Sequence, residues 1–392
     1  MGPLRPLPYD LTTLRPLVRS SMASSGSKRV VVAMSGGVDS SVAAGLLVRQ
    51  GYQVLGATLQ LWPSDLPPGV ESGCCSLSAV EDARRVAAHL GIPHYVLNFR
   101  EHFERTVIAD FTREYLAGRT PNPCVRCNQH VKFGPLLEKA RSLGADLIAT
   151  GHYARAQRDR TSGRWLLLRS VDEGKDQSYA LHPLTQEQLG HTLFPLGGHW
   201  KVGTREMALE LAPLVATKPD SQEICFVPNR DYGAFLSRRA PDALKPGEIL
   251  NTRGELLGIH AGIANFTIGQ RKRLGISSAQ PLYVTEIDAD ENRVIVGGQG
   301  ELMRKRVIAT SFNLIGVDEL EEPIRVSAKI RYNMRDVPAL LSPAPGATLS
   351  EGCVSEVSLE FDEPQRAITP GQSLVCYLGD RVVGGGTIES AT

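Results

Sequence analysis

A chain of 392 residues exceeds what one ordinary hydrophobic core supports, so two or three domains are expected. Hydrophobic residues make up 42% and charged residues 22%, and no apolar run approaches the roughly 20 residues that cross a bilayer, which excludes a membrane-spanning apolar helix. The formal net charge of +1 excludes a general basic field, so any nucleic-acid partner must be met by local patches of Lys and Arg.

Residues 1–27 stand apart. They carry Arg5, Arg15 and Arg19, four prolines and one acid, and end in Ser24-Ser25-Gly26-Ser27. This reads as a disordered extension. Its basic, serine-bearing composition is also that of an organelle transit peptide, although the prolines break any continuous amphipathic helix. Met22 offers a second candidate start. Seven cysteines, an odd number without a regular disulfide framework, point to a reducing compartment and to thiols kept for chemistry. A cytoplasmic location is expected, or an organelle if residues 1–27 are a transit peptide.

The first strand is predicted at Val30-Val31-Val32-Ala33-Met34, followed at once by Ser35-Gly36-Gly37-Val38-Asp39-Ser40-Ser41 and a helical run from Val42. Glycines at a strand-to-helix junction let the backbone approach a ligand closely, and the amide groups and positive dipole end of the helix favour an anion. Ser40 and Ser41 add hydroxyl donors. The loop lacks the Lys of a Gly-x-x-x-x-Gly-Lys-Ser/Thr nucleotide loop. With Asp39 in that region it resembles instead the loop of N-type ATP pyrophosphatases, which cleave ATP between its α and β phosphates.

Further strands are predicted at 52–59, 95–99 and 146–150, with a helix capped by Ser76 or Ser78 and ended by Gly91 and Pro93, and helical sequence over 101–117 and 135–143. Strands alternating with helices mean an α/β fold, a doubly wound parallel sheet with ligands at the carboxyl ends of its strands. The loop at Ser35 and the turn Gly151-His152-Tyr153 both occupy such ends. Past about Pro219 the alternation stops. The segment 245–275 reads as a small module of hairpins, and 324–330 and 354–360 alternate with period two, as in a β-sandwich or barrel. The expected division is 28–218 for the nucleotide domain, 219–302 for a middle domain and 303–392 for a β-barrel.

Thr120-Pro121-Asn122-Pro123-Cys124-Val125-Arg126-Cys127-Asn128 is the second informative stretch, expected on a proline-stiffened loop rather than in a regular element. Its Cys-x-x-Cys suits a redox pair or a metal half-site equally, and no second Cys-x-x-Cys completes a four-cysteine zinc site. A third cysteine closes Asp220-Ser221-Gln222-Glu223-Ile224-Cys225. Cys353 and Cys376 lie in strand-like segments and read as small buried hydrophobes. Cys74 and Cys75 are assigned no role.

Taken together, the Ser35 loop, Arg119-Thr120-Pro121-Asn122-Pro123 with Cys127-Asn128, Ala149-Thr150-Gly151-His152-Tyr153, Lys175-Asp176-Gln177-Ser178-Tyr179, Ile224-Cys225-Phe226, Thr267-Ile268-Gly269-Gln270-Arg271-Lys272, Lys329-Ile330-Arg331-Tyr332 and Thr369-Pro370-Gly371-Gln372-Ser373 resemble the tRNA-specific 2-thiouridylase family, in the family's order. The resemblance implies ATP-dependent replacement of O2 by sulfur on wobble uridine 34 of tRNAs for Lys, Glu and Gln, with Mg2+ and release of AMP and pyrophosphate. It assigns ATP to Ala33, Met34, Ser35, Gly36, Gly37, Val38, Asp39, Ser40, Leu59 and Gly151. Leu59 stands where the family commonly has Met. Catalysis falls to Asp39, Cys127 and Cys225, with Cys225 carrying a persulfide from a sulfur-relay protein or cysteine desulfurase and Cys127 completing transfer. Release by disulfide formation would bond Cys127 to Cys225. The target base is assigned to Asn122, Pro123 and Cys124, and tRNA to His152, Lys175, Asp176, Gln177, Arg331, Tyr332 and Gln372.

Cys124 departs from the Asp common at its place. Three thiols, Cys124, Cys127 and Cys225, offer an alternative: a [4Fe-4S] cluster with one open iron that binds the transferable sulfide. An amide-forming N-type ATP pyrophosphatase, such as an argininosuccinate or NAD synthetase, shares the loop but needs neither Cys127 nor Cys225. A noncatalytic tRNA-binding protein would release neither AMP nor pyrophosphate.

Overall fold

A computed structural model of the chain describes residues 28–61, 77–220, 224–227 and 231–392. The extension expected at 1–27, the loop at 63–73, Cys74, Cys75 and the cap candidate Ser76 lie outside the described residues.

Strand β1 (Arg29–Ala33) runs into helix α1 (Val38–Arg49), then β2 (Gln53–Gln60), α2 (Leu77–Leu90) and β3 (His94–Asn98). The helical sequence after β3 is broken into α3 (Arg100–Phe103), a π-helical turn over Glu104–Ile108, and α4 (Ala109–Leu116). Next come α5 (Pro123–Cys127), α6 (Pro135–Ser142), β4 (Leu147–Ala149), the hairpin β5 (Ala154–Arg158) and β6 (Trp165–Arg169), α7 (Gln186–Gly190), β7 (Thr192–Leu193) and α8 (Lys201–Leu211). Strands pair in parallel in the order β3-β2-β1-β4-β7. This is the expected doubly wound sheet, and its order reverses at the β1–β4 pair, the place where such folds open a crevice for ligands.

Successive residues of a strand face opposite sides, and a parallel sheet is covered on both, so its strands read as unbroken apolar runs. Val30 and Val32 pack with α1 and α2 residues such as Ala44 and Ala83. Val31, Ala57, Leu59 and Ile148 face the opposite core with Phe103, Phe111, Cys127 and Phe226. That second core therefore carries both of the cysteine segments.

Helix α9 (Tyr232–Arg239) precedes the middle module, where β8 (Gly247–Asn251) and β9 (Leu256–His260) make a hairpin and β10 (Tyr283–Asp288) and β11 (Arg293–Gly297) make another. Strands β8 and β11 join in parallel. The module extends further along the chain than the hairpins expected at 245–275. Beyond it β12 (Met303–Leu314), β13 (Ile324–Lys329), β14 (Val337–Pro343), β15 (Leu349–Ser350), β16 (Cys353–Arg366), β17 (Ser373–Leu378) and β18 (Arg381–Ala391) follow. The ring β12-β16-β14-β13-β17-β18 closes where β12 pairs with β18, leaving a barrel filled by Phe312, Phe361, Leu374 and Cys376. Cys376 is buried as expected, whereas Cys353 is only half-buried.

One feature escapes the period-two pattern. The β5–β6 hairpin, which comes from the nucleotide end of the chain, continues the barrel sheet by pairing Leu168 with Arg381 on β18, next to a hydrogen bond from Arg169 N to Asp380 O of 2.8 Å.

Candidate active site

Gly36 adopts φ +67, and a Cβ there would lie 2.1 Å from the Ala79 carbonyl oxygen, so only glycine fits between the loop and α2. Gly37 is the N-cap of α1 and contributes no side-chain cap, which leaves the amide donors of the first turn for an anion. Ser40 Oγ donates to Gly37 O at 3.3 Å and accepts from Ser35 N at 3.1 Å, and Ser41 Oγ donates to the same carbonyl at 2.8 Å, so the hydroxyls brace the loop. The turn after β4 closes against it: a Cβ on Gly151 would sit 2.7 Å from Ser40 N. Residues 33–40 and Gly151 therefore meet at the carboxyl ends of β1 and β4, the switch point of the sheet. Leu59 lies on the neighbouring strand, buried in the core beneath.

Asp39 Oδ1 accepts a hydrogen bond from Tyr153 OH at 2.9 Å, and Lys201 Nζ reaches its two carboxylate oxygens at 2.6 and 2.8 Å. Lys201 also pairs with Asp220 Oδ1 at 2.9 Å, and Asp220 takes Lys175 and Arg205 besides. Burial alone would raise the Asp220 carboxyl, but hydrogen bonds from Lys175 and Lys201 hold it down at about 2. Lys218 donates to Gly36 O at 3.1 Å and pairs with Asp82 at 2.7 Å. The mouth of the loop is thus ringed by four cations from three separate stretches of the sequence, Lys175, the α8 pair Lys201 and Arg205, and Lys218.

Cys124 and Cys127 sit in α5, not on a loop as expected. Asn122 is its N-cap, accepting from Val125 N at 3.3 Å, and Pro123 occupies the first turn, where its missing N–H costs nothing. Cys124 is exposed and Cys127 buried. Asp110 on α4 anchors the helix through Arg126, whose Nε donates to Asp110 Oδ2 at 3.2 Å. Asn128 continues the same turn, buried and donating to Ala180 O at 2.9 Å. Cys225 packs against the core that contains Cys127, and Phe226 beside it meets Phe103 and Phe111 edge-on at 5.6 and 5.2 Å. Burying one such ring is worth about 1.5–3 kcal/mol, enough to pin the Cys225 turn to the face that holds α5.

The barrel meets this face. Thr120 N donates to Pro370 O at 2.9 Å, and Gln372 Nε2 donates to Thr120 O at 2.8 Å. Tyr332, 39% exposed, meets Tyr179 edge-on at 5.9 Å. Its hydroxyl is pushed up to about 12, chiefly by burial, with Asp176 and Cys124 adding to the rise.

The chain matches three consecutive family models, described as tRNA methyl transferase HUP domain over 28–229, tRNA methyl transferase PRC-barrel domain over 233–298 and aminomethyltransferase beta-barrel domain over 304–388. It is 55% identical over 360 residues to the tRNA-specific 2-thiouridylase MnmA of Heliobacterium modesticaldum, covering 92% of each chain. It is 53% identical over 364 residues to the protein of the same name from Acetivibrio thermocellus, covering 92% of this chain and 99% of that one. The chain belongs to the tRNA-specific 2-thiouridylase family. Among solved structures, a 4-thiouridine synthetase in complex with RNA and bound ATP is a distant likeness, with a TM-score of 0.33 and 18% identity over 55% of this chain and 51% of that one.

Within this 2-thiouridylase, several residues assigned to tRNA hold the fold together. The Asp176 carboxylate is buried and accepts from Ser170 N, Ser178 N and Ser178 Oγ. Gln177 exchanges hydrogen bonds with the Tyr153 main chain, its own N–H donating and its Oε1 accepting, both at 2.9 Å. Lys175 turns to Asp220. His152 is a satisfied turn residue, its Nδ1 bonded to Thr150 Oγ1 at 2.8 Å and its ring among Phe133 and Phe194, and burial holds it neutral. Arg331 is half-buried and donates to the Arg366 carbonyl. Gln372 spends its amide on Thr120. Asn122, Cys124 and Tyr332 border the same seam, and of these Cys124 and Tyr332 present exposed surface there.

The three thiols proposed as cluster ligands differ in setting. Among the described residues no three His, Cys, Asp or Glu side chains are grouped to hold a metal ion, and Cys124 points to solvent while Cys127 is buried. Sequence reasoning did not single out Tyr153, Lys201, Arg205, Lys218 and Asp220, whose side chains are gathered around Asp39 and the Ser35 loop. Only Lys201 carried a cue: a cation as first residue of a helix opposes the helix dipole and calls for a compensating anion. No helix among the described residues is long and apolar enough to cross a membrane.

Proposed function

We propose that this protein is an ATP-dependent tRNA 2-thiouridine synthase acting on wobble uridine 34 of tRNAs for Lys, Glu and Gln. The observation that carries the reading is the placing of a Gly/Ser anion loop at the β1–β4 switch point beside a core that holds both the Cys127 helix and the Cys225 turn, in a chain of the 2-thiouridylase family. The nucleotide unit is 28–218, the middle unit 219–302 and the barrel 303–392.

The O2 of uridine is a poor leaving group, so it must first be joined to phosphorus. ATP held by the Ser35–Ser41 loop, with Mg2+ arriving on its triphosphate, adenylates O2 and loses pyrophosphate. A sulfur relay protein or a cysteine desulfurase loads Cys225 as a persulfide. Its terminal sulfur attacks C2 and expels AMP, and the thiolate of Cys127 then attacks the inner sulfur of Cys225, leaving the outer sulfur on C2 and joining the two cysteines in a disulfide that a thiol reductant reopens. That bond requires the two Cα atoms to come within about 7 Å, and both residues pack on the same hydrophobic core. A reducing compartment such as the cytoplasm suits this cycle. The base must be turned out of the anticodon stack to reach Cys127, with Cys124 and Tyr332 at the rim and Arg271-Lys272-Arg273 exposed on the middle module for phosphates.

The test is mass spectrometry of wobble nucleosides after tRNA(Glu) transcript is incubated with ATP, cysteine and a cysteine desulfurase that supplies sulfur at the persulfide level. 2-Thiouridine together with AMP and pyrophosphate is expected. A product free of thiouridine from protein that still binds tRNA would reject the reading in favour of a noncatalytic binder. AMP release that depends on an amine acceptor, and survives Cys127→Ser, would reject it in favour of a ligase.

A further inference from the structure

The loop at Ser35 lacks the lysine that other nucleotide loops extend to the outer phosphates. The fold returns one from 162 positions away. Lys201 opens α8 and is only 8% exposed, with Nζ between the carboxylates of Asp39 and Asp220. A desolvated ammonium at the positive end of a helix is costly unless anions surround it, and here two carboxylates from different elements do so. One of them, Asp39, lies in the first turn of the helix whose N-terminus forms the anion cradle.

We propose that Lys201 is the cation that contacts the β and γ phosphates of ATP and stays with pyrophosphate as it departs, with Asp39 and Asp220 as its counter-ions when no nucleotide is bound. The inference rests on the ATP-dependent reading above. When the α–β linkage breaks, the bridging oxygen leaves with the electron pair, and an ammonium fixed beside it meets the charge where it develops. The surrounding groups leave each carboxylate a hydrogen-bonding partner during the exchange. Asp220 keeps Lys175 and Arg205, and Asp39 keeps the Tyr153 hydroxyl. Lys175, Arg205 and Lys218 fix the neighbouring anions and the Gly36 carbonyl, so Lys201 is the cation lying directly on the loop's own aspartate.

The test is titration calorimetry of wild-type protein, Lys201→Met and Lys201→Arg with three probes, ATP, inorganic pyrophosphate and AMP, at fixed Mg2+. Lys201→Met is expected to weaken ATP and pyrophosphate about tenfold or more, the scale of one charge-assisted contact, and to leave AMP within about twofold, with Lys201→Arg recovering most of the loss. Unchanged ATP and pyrophosphate affinity, or an equal loss for AMP, overturns the proposal. Should Lys201→Met not fold, Asp220→Asn decides: removing an anion that competes for Lys201 is expected to tighten pyrophosphate binding, and unchanged or weaker binding overturns it. Wild-type protein that binds no ATP sinks this inference and the ATP-dependent reading together, whereas wild-type binding matched by Lys201→Met sinks the inference alone.

Discussion

Gln372 on the barrel donates from Nε2 to the main-chain carbonyl of Thr120 at 2.8 Å, so a turn of the C-terminal barrel grips the backbone that leads into the Cys127 helix. Gly371 makes the approach feasible. It has φ +88, and a Cβ on it would lie 2.9 Å from Thr120 N and 3.0 Å from Thr120 O. Gly371→Ala is expected to destabilise the fold by about 1–3 kcal/mol through strain and close contact. Its thiouridine yield should fall well below wild type while ATP affinity, set at the far end of the crevice, stays within about twofold. Chemical denaturation and nucleoside analysis read the two effects, and wild-type thiouridine yield would show that the grip is dispensable.

Asn122 caps the helix that carries both Cys124 and Cys127. Asn122→Ala should cost about 1 kcal/mol, and Asn122→Asp or Asn122→Ser should restore most of it because each retains an oxygen for Val125 N. Since the cap sets where Cys127 stands, the Ala variant is also expected to alkylate faster at Cys127, measured with iodoacetamide and peptide mapping.

The cysteines divide by position. Cys127→Ser and Cys225→Ser are expected to abolish thiouridine formation while preserving ATP binding. Cys124→Ser, at an exposed position that belongs to no metal-ligand group among the described residues, should retain most of the activity. Broad visible absorption in anaerobically purified protein that vanishes in Cys124→Ser would contradict this and restore the cluster.

His182 is buried against the barrel, with Nε2 3.1 Å from Ser373 Oγ, and burial lowers it to about 3 from 6.5. Its folded value lies below the unfolded one, so between these pH values the unfolded chain binds the extra proton. Its contribution is present above about pH 6.5 and is lost as pH falls toward 3, at up to about 1.4 kcal/mol per pH unit. Urea unfolding from pH 7 to pH 5 should show this slope, and His182→Gln should flatten it.

What could be read from the chain beforehand follows from how local each signal is. The Ser35–Ser41 loop declares itself because strand, glycines and helix are adjacent, and the sheet could be ordered because β1, β2 and β3 are apolar runs between helical ones. The α5 helix was legible in principle: Asn-Pro is an N-cap followed by a first-turn proline, but the two prolines drew the segment toward a loop. Lys201 carried no more than the cue of a cation opening a helix, because its partners Asp39 and Asp220 come from distant stretches and only the fold unites them. The roles of Asp176, Gln177 and Gln372 were hidden for the same reason. A motif records that residues matter together, but not whether they face a ligand or one another.

The β5–β6 hairpin, lent by the nucleotide end of the chain to the barrel, makes these two ends of the sequence one mechanical object. With Arg155 on Asp380 at 2.8 Å, Arg164 on Asp318 at 2.5 Å and Tyr179 on Ser373 O at 2.8 Å, a polypeptide cut short before β12 would strand these buried and half-buried donors in water or without acceptors. Half-length versions of this protein are therefore poor material for dissecting its steps, and separate activities are better resolved by point substitution in the intact chain.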